Sequence, residues 1–249
     1  MKNLLREKLN EGKSVIGTFV QLGHPDVTES LSRMTFDWLV IDSEHSPMSV
    51  ETVQMLLQAM NGSDCTPVVR PPWNDMVMIK RILDAGAHGL LVPWVNTKAD
   101  AEYAVRASKY PPKGQRGFGP RRPMLLDRDY AATANDEILV IAQIETREAV
   151  GNVEDILSVD GIDAVYIGPM DLSKDFGLDF PDTDNADFLA AYDKVLAAGK
   201  KSGKPVGIYG FSHTIEWAIE RGFVLNTVDS DATFLMRGAN RVLKKLAAR

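Results

Sequence analysis

Four segments of this 249-residue chain place charged or proton-active side chains directly after short, β-branched apolar runs. They are Asp42-Ser43-Glu44-His45, Arg70 with Pro71-Pro72 behind it, Gln143-Ile144-Glu145, and Gly168-Pro169-Met170-Asp171. Glu145 and Asp171 would repel each other at one site unless a cation lay between them. A hard divalent cation such as Mg²⁺ or Mn²⁺ takes one or two carboxylates, keeps water, and leaves room for a bidentate ligand. Taken singly, each acid also suits the N-terminus of a helix; together, with Gln143 and Gly168 alongside, they point to metal. Arg70 emerges from Pro67-Val68-Val69, and a guanidinium leaving an apolar strand needs an anion. Its planar fork suits a carboxylate or an enolate oxygen. An internal partner would be Asp42 or Glu44, which is compatible with a catalytic role. His45 lies in a loop beside acids, where an imidazole can be oriented for proton transfer. His24, in Gly23-His24-Pro25, is a weaker candidate for lining a substrate; His88 and His213 are given no role.

The lysines are informative by position. A Schiff-base mechanism needs a desolvated lysine inside a barrel strand. None of the apolar runs contains one; Lys204 precedes a run, and Lys174 lies beyond Asp171. Enolate formation would then need electrophilic help from a metal.

The elements that must position these groups alternate along the chain. Apolar runs at Val15–Val20, Trp38–Ile41, Thr66–Val69, Gly89–Val92, Ile138–Ile144, Ala164–Ile167, Pro205–Ile208 and Val224–Val228 read as strands covered on both faces. Helix-patterned stretches lie between them. Val53, Leu56, Leu57 and Met60 follow the helical period, as do, less cleanly, Leu235, Ala239, Val242, Leu243 and Leu246. Gly86 reads as a helix stop. Eight alternations predict a single (β/α)8 barrel over residues 1–249, preferred over a doubly wound sheet; neither a G-x-G-x-x-G nor a P-loop fingerprint occurs. Barrel active sites lie at the carboxyl ends of the strands, which is where the four segments fall. The longest irregular stretches are Tyr110–Asp127 and Gly177–Asn185.

A net charge of −6 argues against a nucleic-acid or anionic-membrane surface. The one cysteine, Cys65, excludes an internal disulfide and a cysteine-based zinc site, and fits a cytoplasmic protein. The N-terminal MKNLLREKLNEGK lacks the apolar core of a secretory signal, and no run approaches the ~20 apolar residues of a membrane span.

Phe36-Asp37-Trp38-Leu39-Val40-Ile41-Asp42-Ser43-Glu44-His45, Pro67-Val68-Val69-Arg70-Pro71, Gln143-Ile144-Glu145-Thr146-Arg147-Glu148-Ala149 and Ile167-Gly168-Pro169-Met170-Asp171-Leu172-Ser173, in this order and spacing, resemble the HpcH/HpaI aldolases, the metal-dependent class II pyruvate aldolases. The resemblance covers nearly the whole chain. It implies a (β/α)8 barrel of the phosphoenolpyruvate/pyruvate type, with its last helix exchanged between subunits of a homo-oligomer, a hexamer. It implies a divalent metal (Mg²⁺, Mn²⁺ or Co²⁺) on Glu145 and Asp171, with pyruvate held by Gln143 and the backbone around Gly168, Pro169 and Met170. Arg70 would stabilise the enolate and His45 would carry the proton, with Asp42 counted in the catalytic set. An acid matching Asp84 is associated in the family with supporting that histidine. Asp84 lies in the last turn of a helix running away from the mouth, so it should not reach His45 of its own chain. Read without the family, it would be an exposed acid beside Lys80 or Arg81.

The chain departs from the family's commoner pattern at Met170, where many members carry alanine, and in Gly117-Phe118-Gly119-Pro120-Arg121-Arg122-Pro123. Arg121 or Arg122 could meet an acidic acceptor, or could simply be solvated. The resulting expectation is reversible cleavage of a 4-hydroxy-2-oxo acid, a hydroxy-oxo diacid or 2-keto-3-deoxy sugar acid, to pyruvate and an aldehyde. The alternatives are another metal-enolate lyase, such as an oxaloacetate decarboxylase or acyl-CoA lyase, and a barrel that binds a small acid without turnover.

Overall fold

Alternating side chains along short strands leave one set for the barrel interior and one for a surrounding layer of helices. The computed structural model, which describes residues 2–181 and 184–248, shows eight parallel strands doing this. They are β1 (Val15–Val20), β2 (Trp38–Asp42), β3 (Thr66–Arg70), β4 (Gly89–Val92), β5 (Leu139–Ile144), β6 (Ala164–Ile167), β7 (Val206–Gly210) and β8 (Leu225–Ser230). They close in sequence order, β8 pairing with β1. β1, β4 and β6 match the sequence reading at both ends, and the other strands differ by one or two residues; β2 and β3 run on to include Asp42 and Arg70.

Phe19, Trp38, Val40, Val68, Leu91, Ile141, Tyr166 and Leu225 fill the interior, while Leu39, Ile41, Val69, Val140 and Ile167 face the helices. Gly17 makes room for the interior indole: a Cβ there would lie 2.5 Å from the Trp38 carbonyl and 2.6 Å from its ring. Trp38 meets Tyr166 edge-on at 6.0 Å and donates to the Asn226 carbonyl at 3.1 Å. Leu5 and Leu9, from the N-terminal helix Leu4–Asn10, join this interior cluster at its amino end.

Outer helices start where the sequence supplies caps. Ser49 accepts from Thr52 N–H before Val50–Ala59, and Asp75 from Met78 N–H before Met76–Ala85. Gly86 ends the second of these with φ 108°, a left-handed conformation that suits glycine. The expected irregular stretch from Tyr110 to Asp127 contains a short helix, Arg121–Leu126. The second, from Gly177 to Asn185, lies partly outside the described residues. The last helix, Asp231–Ala247, buries little beyond its first turn, where Asp231 accepts from Gln21 and Leu22 N–H. Leu235, Met236, Val242, Leu243 and Leu246 are each more than half exposed. Among the described residues, no helix is long and apolar enough to cross a membrane.

Candidate active site

The inward parity of each strand, continued one or two residues past its carboxyl end, places the polar groups at one mouth. Asp42 continues Trp38 and Val40; Arg70 continues Val68; Gln143 and Glu145 continue Leu139 and Ile141; Gly168 continues Tyr166. A cavity of about 380 Å³ opens there, lined by His45, Arg70, Gln143, Gly168, Pro169, Met170 and Asp171 among the residues singled out from sequence.

Register brings Asp42 and Arg70 level on neighbouring strands. Arg70 donates through Nε and Nη2 to the two Asp42 oxygens at 2.9 and 2.8 Å, and its Nε lies 3.2 Å from Glu44. Both acids therefore serve it. Nη1 has no protein partner among the described residues, and Arg70 lines the cavity. Burial works against the Asp42 carboxylate, but the hydrogen bonds and charge of Arg70 outweigh it, with help from Gln21, and hold it below the usual range. Glu44 is pushed the other way, to about 7, chiefly by burial. The pull of Arg70 is there opposed by the negative charges of Glu145, Asp42 and Asp171. His45, half exposed at the rim, has Nε2 3.7 Å from the Glu44 carboxylate.

Glu145 is 1% exposed. One oxygen accepts from Trp94 N–H at 2.7 Å and the other from the Gln143 amide. Trp94 reaches this position with φ 54°, a strained conformation for a non-glycine residue, of the kind that clusters at functional sites. Burial raises the Glu145 carboxyl above its ordinary value, and the charge of Asp171 adds to that; the two hydrogen bonds offset part of it. Gln143 Oε1 is buried without a donor among the described residues. A Cβ at Gly168 would sit 3.0 Å from Gln143 Nε2 and 3.1 Å from Glu145 Oε2, so glycine keeps this cradle open.

These observations test the fit of a divalent cation. No group of three or more His, Cys, Asp or Glu suited to a metal occurs among the described residues. Two hard carboxylates, an orphaned amide oxygen and a glycine-lined cradle nevertheless suit a cation that keeps water or substrate oxygens as its other ligands.

Several sequence candidates lie elsewhere. Asp84 is at the opposite end of its helix and pairs at 2.7 Å with the fully buried Arg116, not with Lys80 or Arg81. Arg122 donates to the Ala85 carbonyl at 2.6 Å and to Asn61 at 3.1 Å, so it caps the end of Met76–Ala85 and does not face this chain's acceptor site. His24 caps its own helix by accepting from Asp26 N–H and does not line the cavity. Conversely, Phe19, Gln21, Tyr166, Phe180, Tyr209 and Phe211 line it and were not singled out. Gln21 and Phe211 lie at inward parity just beyond β1 and β7, a signal carried by the sequence itself.

The family model for HpcH/HpaI aldolase/citrate lyase matches residues 15–213. The 4-hydroxy-2-oxo-heptane-1,7-dioate aldolase of Salmonella dublin is 41% identical, the match covering 100% of this chain and 96% of that protein. Among solved structures, an HpcH/HpaI aldolase/citrate lyase family protein from Burkholderia cenocepacia J2315 aligns with a TM-score of 0.92 at 34% identity, over 99% of this chain and 100% of that one. The citrate synthase SbnG aligns with a TM-score of 0.88 at 28% identity, over 98% and 97%.

Proposed function

This chain belongs to the HpcH/HpaI aldolase/citrate lyase family and is a carbon–carbon lyase, and from that premise we propose that it reversibly splits a 4-hydroxy-2-oxo acid into pyruvate and an aldehyde. Substrates of the hydroxy-oxo diacid type, as in the name of the Salmonella relative, or of the deoxy sugar acid type belong to this class. The observation that carries the reading is a cavity lined by the buried Arg70 guanidinium and the Asp171 carboxylate, with Glu145 held beside it by the Gln143 amide. Arg70 has Nη1 to offer, and the charges of both Arg70 and Asp171 act on Glu145.

In the cleavage direction the C4 hydroxyl loses its proton, the C3–C4 bond breaks, and its electron pair enters the pyruvate enolate. Protonation at C3 then completes pyruvate. Arg70, held by Asp42 and Glu44, places a charged donor where the enolate oxygen develops, and being fixed in advance it need not reorganise during the reaction. Gln143 and the backbone N–H groups around Gly168 to Asp171 orient the pyruvate half. His45 at the rim moves the hydroxyl proton, and Glu44 beside it can hold a proton near neutrality. A divalent cation (Mg²⁺, Mn²⁺ or Co²⁺) held by Glu145 and Asp171 would supply Lewis-acid stabilisation of the 2-oxo group.

The exposed apolar residues of Asp231–Ala247 support a homo-oligomer in which this helix packs on a neighbouring subunit, and the hexamer is the assembly that the family resemblance implies. The test of the mechanism is chelation and borohydride. Exhaustive chelation should abolish cleavage and Mn²⁺ should restore it, while borohydride with pyruvate should leave activity intact. Activity that survives chelation, or a trapped pyruvate–lysine adduct, would overturn the reading.

A further inference from the structure

One side of the active-site cavity is built from aromatic rings set end to end. Phe19 lies under Arg70, with the guanidinium carbon 4.9 Å from the ring centroid. Tyr209 follows at 5.5 Å, Phe211 at 5.3 Å from Tyr209, and Phe180 at 5.1 Å from Phe211. Phe180 is 48% exposed and stands at the outer edge. Its loop follows the helix Pro169–Asp175 that carries Asp171, whereas Tyr209 lies in β7 and Phe211 directly follows that strand.

Behind Phe180 and Phe211 lies a second cavity of about 190 Å³ that shares Pro169, Phe180, Tyr209 and Phe211 with the first. Its floor is Tyr192, Ile208, Trp217 and Ala218. Its polar rim is His213, which stacks on Phe211 at 5.6 Å, and Thr214, whose hydroxyl accepts from Phe211 N–H at 3.0 Å. Among the described residues, no Lys, Arg, Asp or Glu lines it. The nearby cations are engaged: Lys174 with Asp179, Arg237 with Asp229 and Ser212, and Arg221, which lies over the Trp217 ring, with Asp193. An occupant of this space is therefore uncharged and apolar. Apolar cavities of about 150 Å³ take up benzene, and rings at these spacings offer edges and faces that a further ring can join.

We propose that this side cavity is a subsite for an aryl group on the acceptor aldehyde, so that the enzyme also makes and breaks 4-hydroxy-2-oxo acids with an aromatic tail. This rests on the aldolase reading above. In the addition direction C3 of the pyruvate enolate bonds to the aldehyde carbon, and the aldehyde oxygen takes up a proton to become the C4 hydroxyl. With 3-phenylpropanal the product is 4-hydroxy-2-oxo-6-phenylhexanoate, which contains every atom of the two reactants. In this arrangement the carbonyl lies in the main cavity with Arg70, and the ring enters the side cavity past the shared Pro169. Polar acceptors remain in the main cavity.

The experiment uses the full chain with pyruvate and Mn²⁺ and compares 3-phenylpropanal with propanal, which lacks only the ring. The ring should raise kcat/KM by roughly tenfold or more, as expected when apolar groups of this size are buried. Ala218→Leu, which fills the side cavity, and Phe180→Ala, which removes an exposed edge, should each cut that ratio to about threefold or less. In parallel, 3-phenylpropanol binding is followed by calorimetry without pyruvate or metal. The alcohol should bind the unmodified protein and bind Ala218→Leu at least ~5-fold more weakly. A ratio near one, or a ratio unchanged in both variants, overturns the subsite. Exchange of pyruvate methyl protons, which needs no aldehyde, reports separately on the enolate. If exchange is absent while the alcohol binds in an Ala218-dependent way, the aldolase reading fails and the aryl subsite stands. If exchange is present and the alcohol is not bound, the subsite fails and the aldolase reading stands.

Discussion

Arg70 carries more of the proposed chemistry than any other single side chain, and its surroundings say how. Asp42 occupies Nε and Nη2 and so fixes the plane of the fork. A lysine would put one point charge where a rigid donor array now stands. Arg70→Lys is therefore expected to lose roughly 10²-fold or more in turnover, the scale of losing one oxyanion donor. Exchange of pyruvate methyl protons should fall with it, and near-normal exchange would remove Arg70 from the enolate role. Glu44 gives a second prediction. Its ordinary value of 4.5 rises to about 7 on folding, chiefly through burial, so between those values the folded chain holds more of its proton than the unfolded one. The associated stability is present below the lower value and lost as pH rises through the upper one. His88, held down from 6.5 to about 4 chiefly by burial, acts oppositely over a window that largely overlaps that of Glu44, so the parent's total dependence mixes the two. The difference between Glu44→Gln and the parent isolates Glu44. Under chelation, thermal unfolding of the variant should gain on the parent from pH 5 to pH 8, and a flat or falling difference would contradict the buried-carboxylate account.

At the scale of elements, Met76–Ala85 shows how a local signal and a distant one meet. Gly86 is legible as a stop because a left-handed residue must follow the helix, and the structure gives it φ 108°. The space above it was not legible. Arg122 crosses to the Ala85 carbonyl, and a Cβ on Gly86 would lie 2.2 Å from the guanidinium. Gly86→Ala therefore meets both an unfavourable φ and a displaced cap. It should destabilise the protein by about 1 kcal/mol or more, read from denaturant unfolding. A neutral outcome would mean that the Arg122 contact carries no weight. The departure in Gly117–Pro123 brings two arginines whose types suggested an acidic acceptor or a solvated pair, and Arg122 meets neither expectation, being buried against the Ala85 carbonyl. Their location depends on how Tyr110–Asp127 folds back along the amino end of the barrel, which no periodicity within the segment encodes.

At the scale of the whole molecule, two features of one chain look incomplete. The apolar stripe of Asp231–Ala247 is exposed along most of its length. Asp84 uses one oxygen for Arg116 and lies at the far end of its helix from the His45 of its own barrel. An acid at the last turn opposes the helix dipole, and its pairing with Arg116 offsets that cost without explaining a functional role. Assembly would join the two features if Asp84 supports a neighbouring subunit's His45. Co-expressed Asp84→Asn and His45→Ala subunits should then recover part of the activity, because mixed assemblies contain sites with neither defect. Mixed oligomers as inactive as their parents, or full activity in a monomer, would refute the contact in trans.

The eight apolar runs and their alternation with helical stretches follow from residue type at spacings of two and three to four, and such spacings survive in any context the strands meet. The same local rule put Asp42, Arg70, Gln143, Glu145 and Gly168 at strand ends, and inward parity brings them to one mouth once the strands close. Closure itself decided the rest. Arg70 could have taken Asp42 or Glu44; register and burial let it take both. Glu145 is steadied by Trp94 from the β4 loop, and the aromatic wall joins Phe19 of β1 to Tyr209 and Phe211 at β7 and to Phe180 beyond β6. Each of these contacts links segments far apart in the chain, with no periodicity between them. They exist because parallel strands wound into a ring bring their carboxyl ends to one rim, so side chains without any local relation become neighbours.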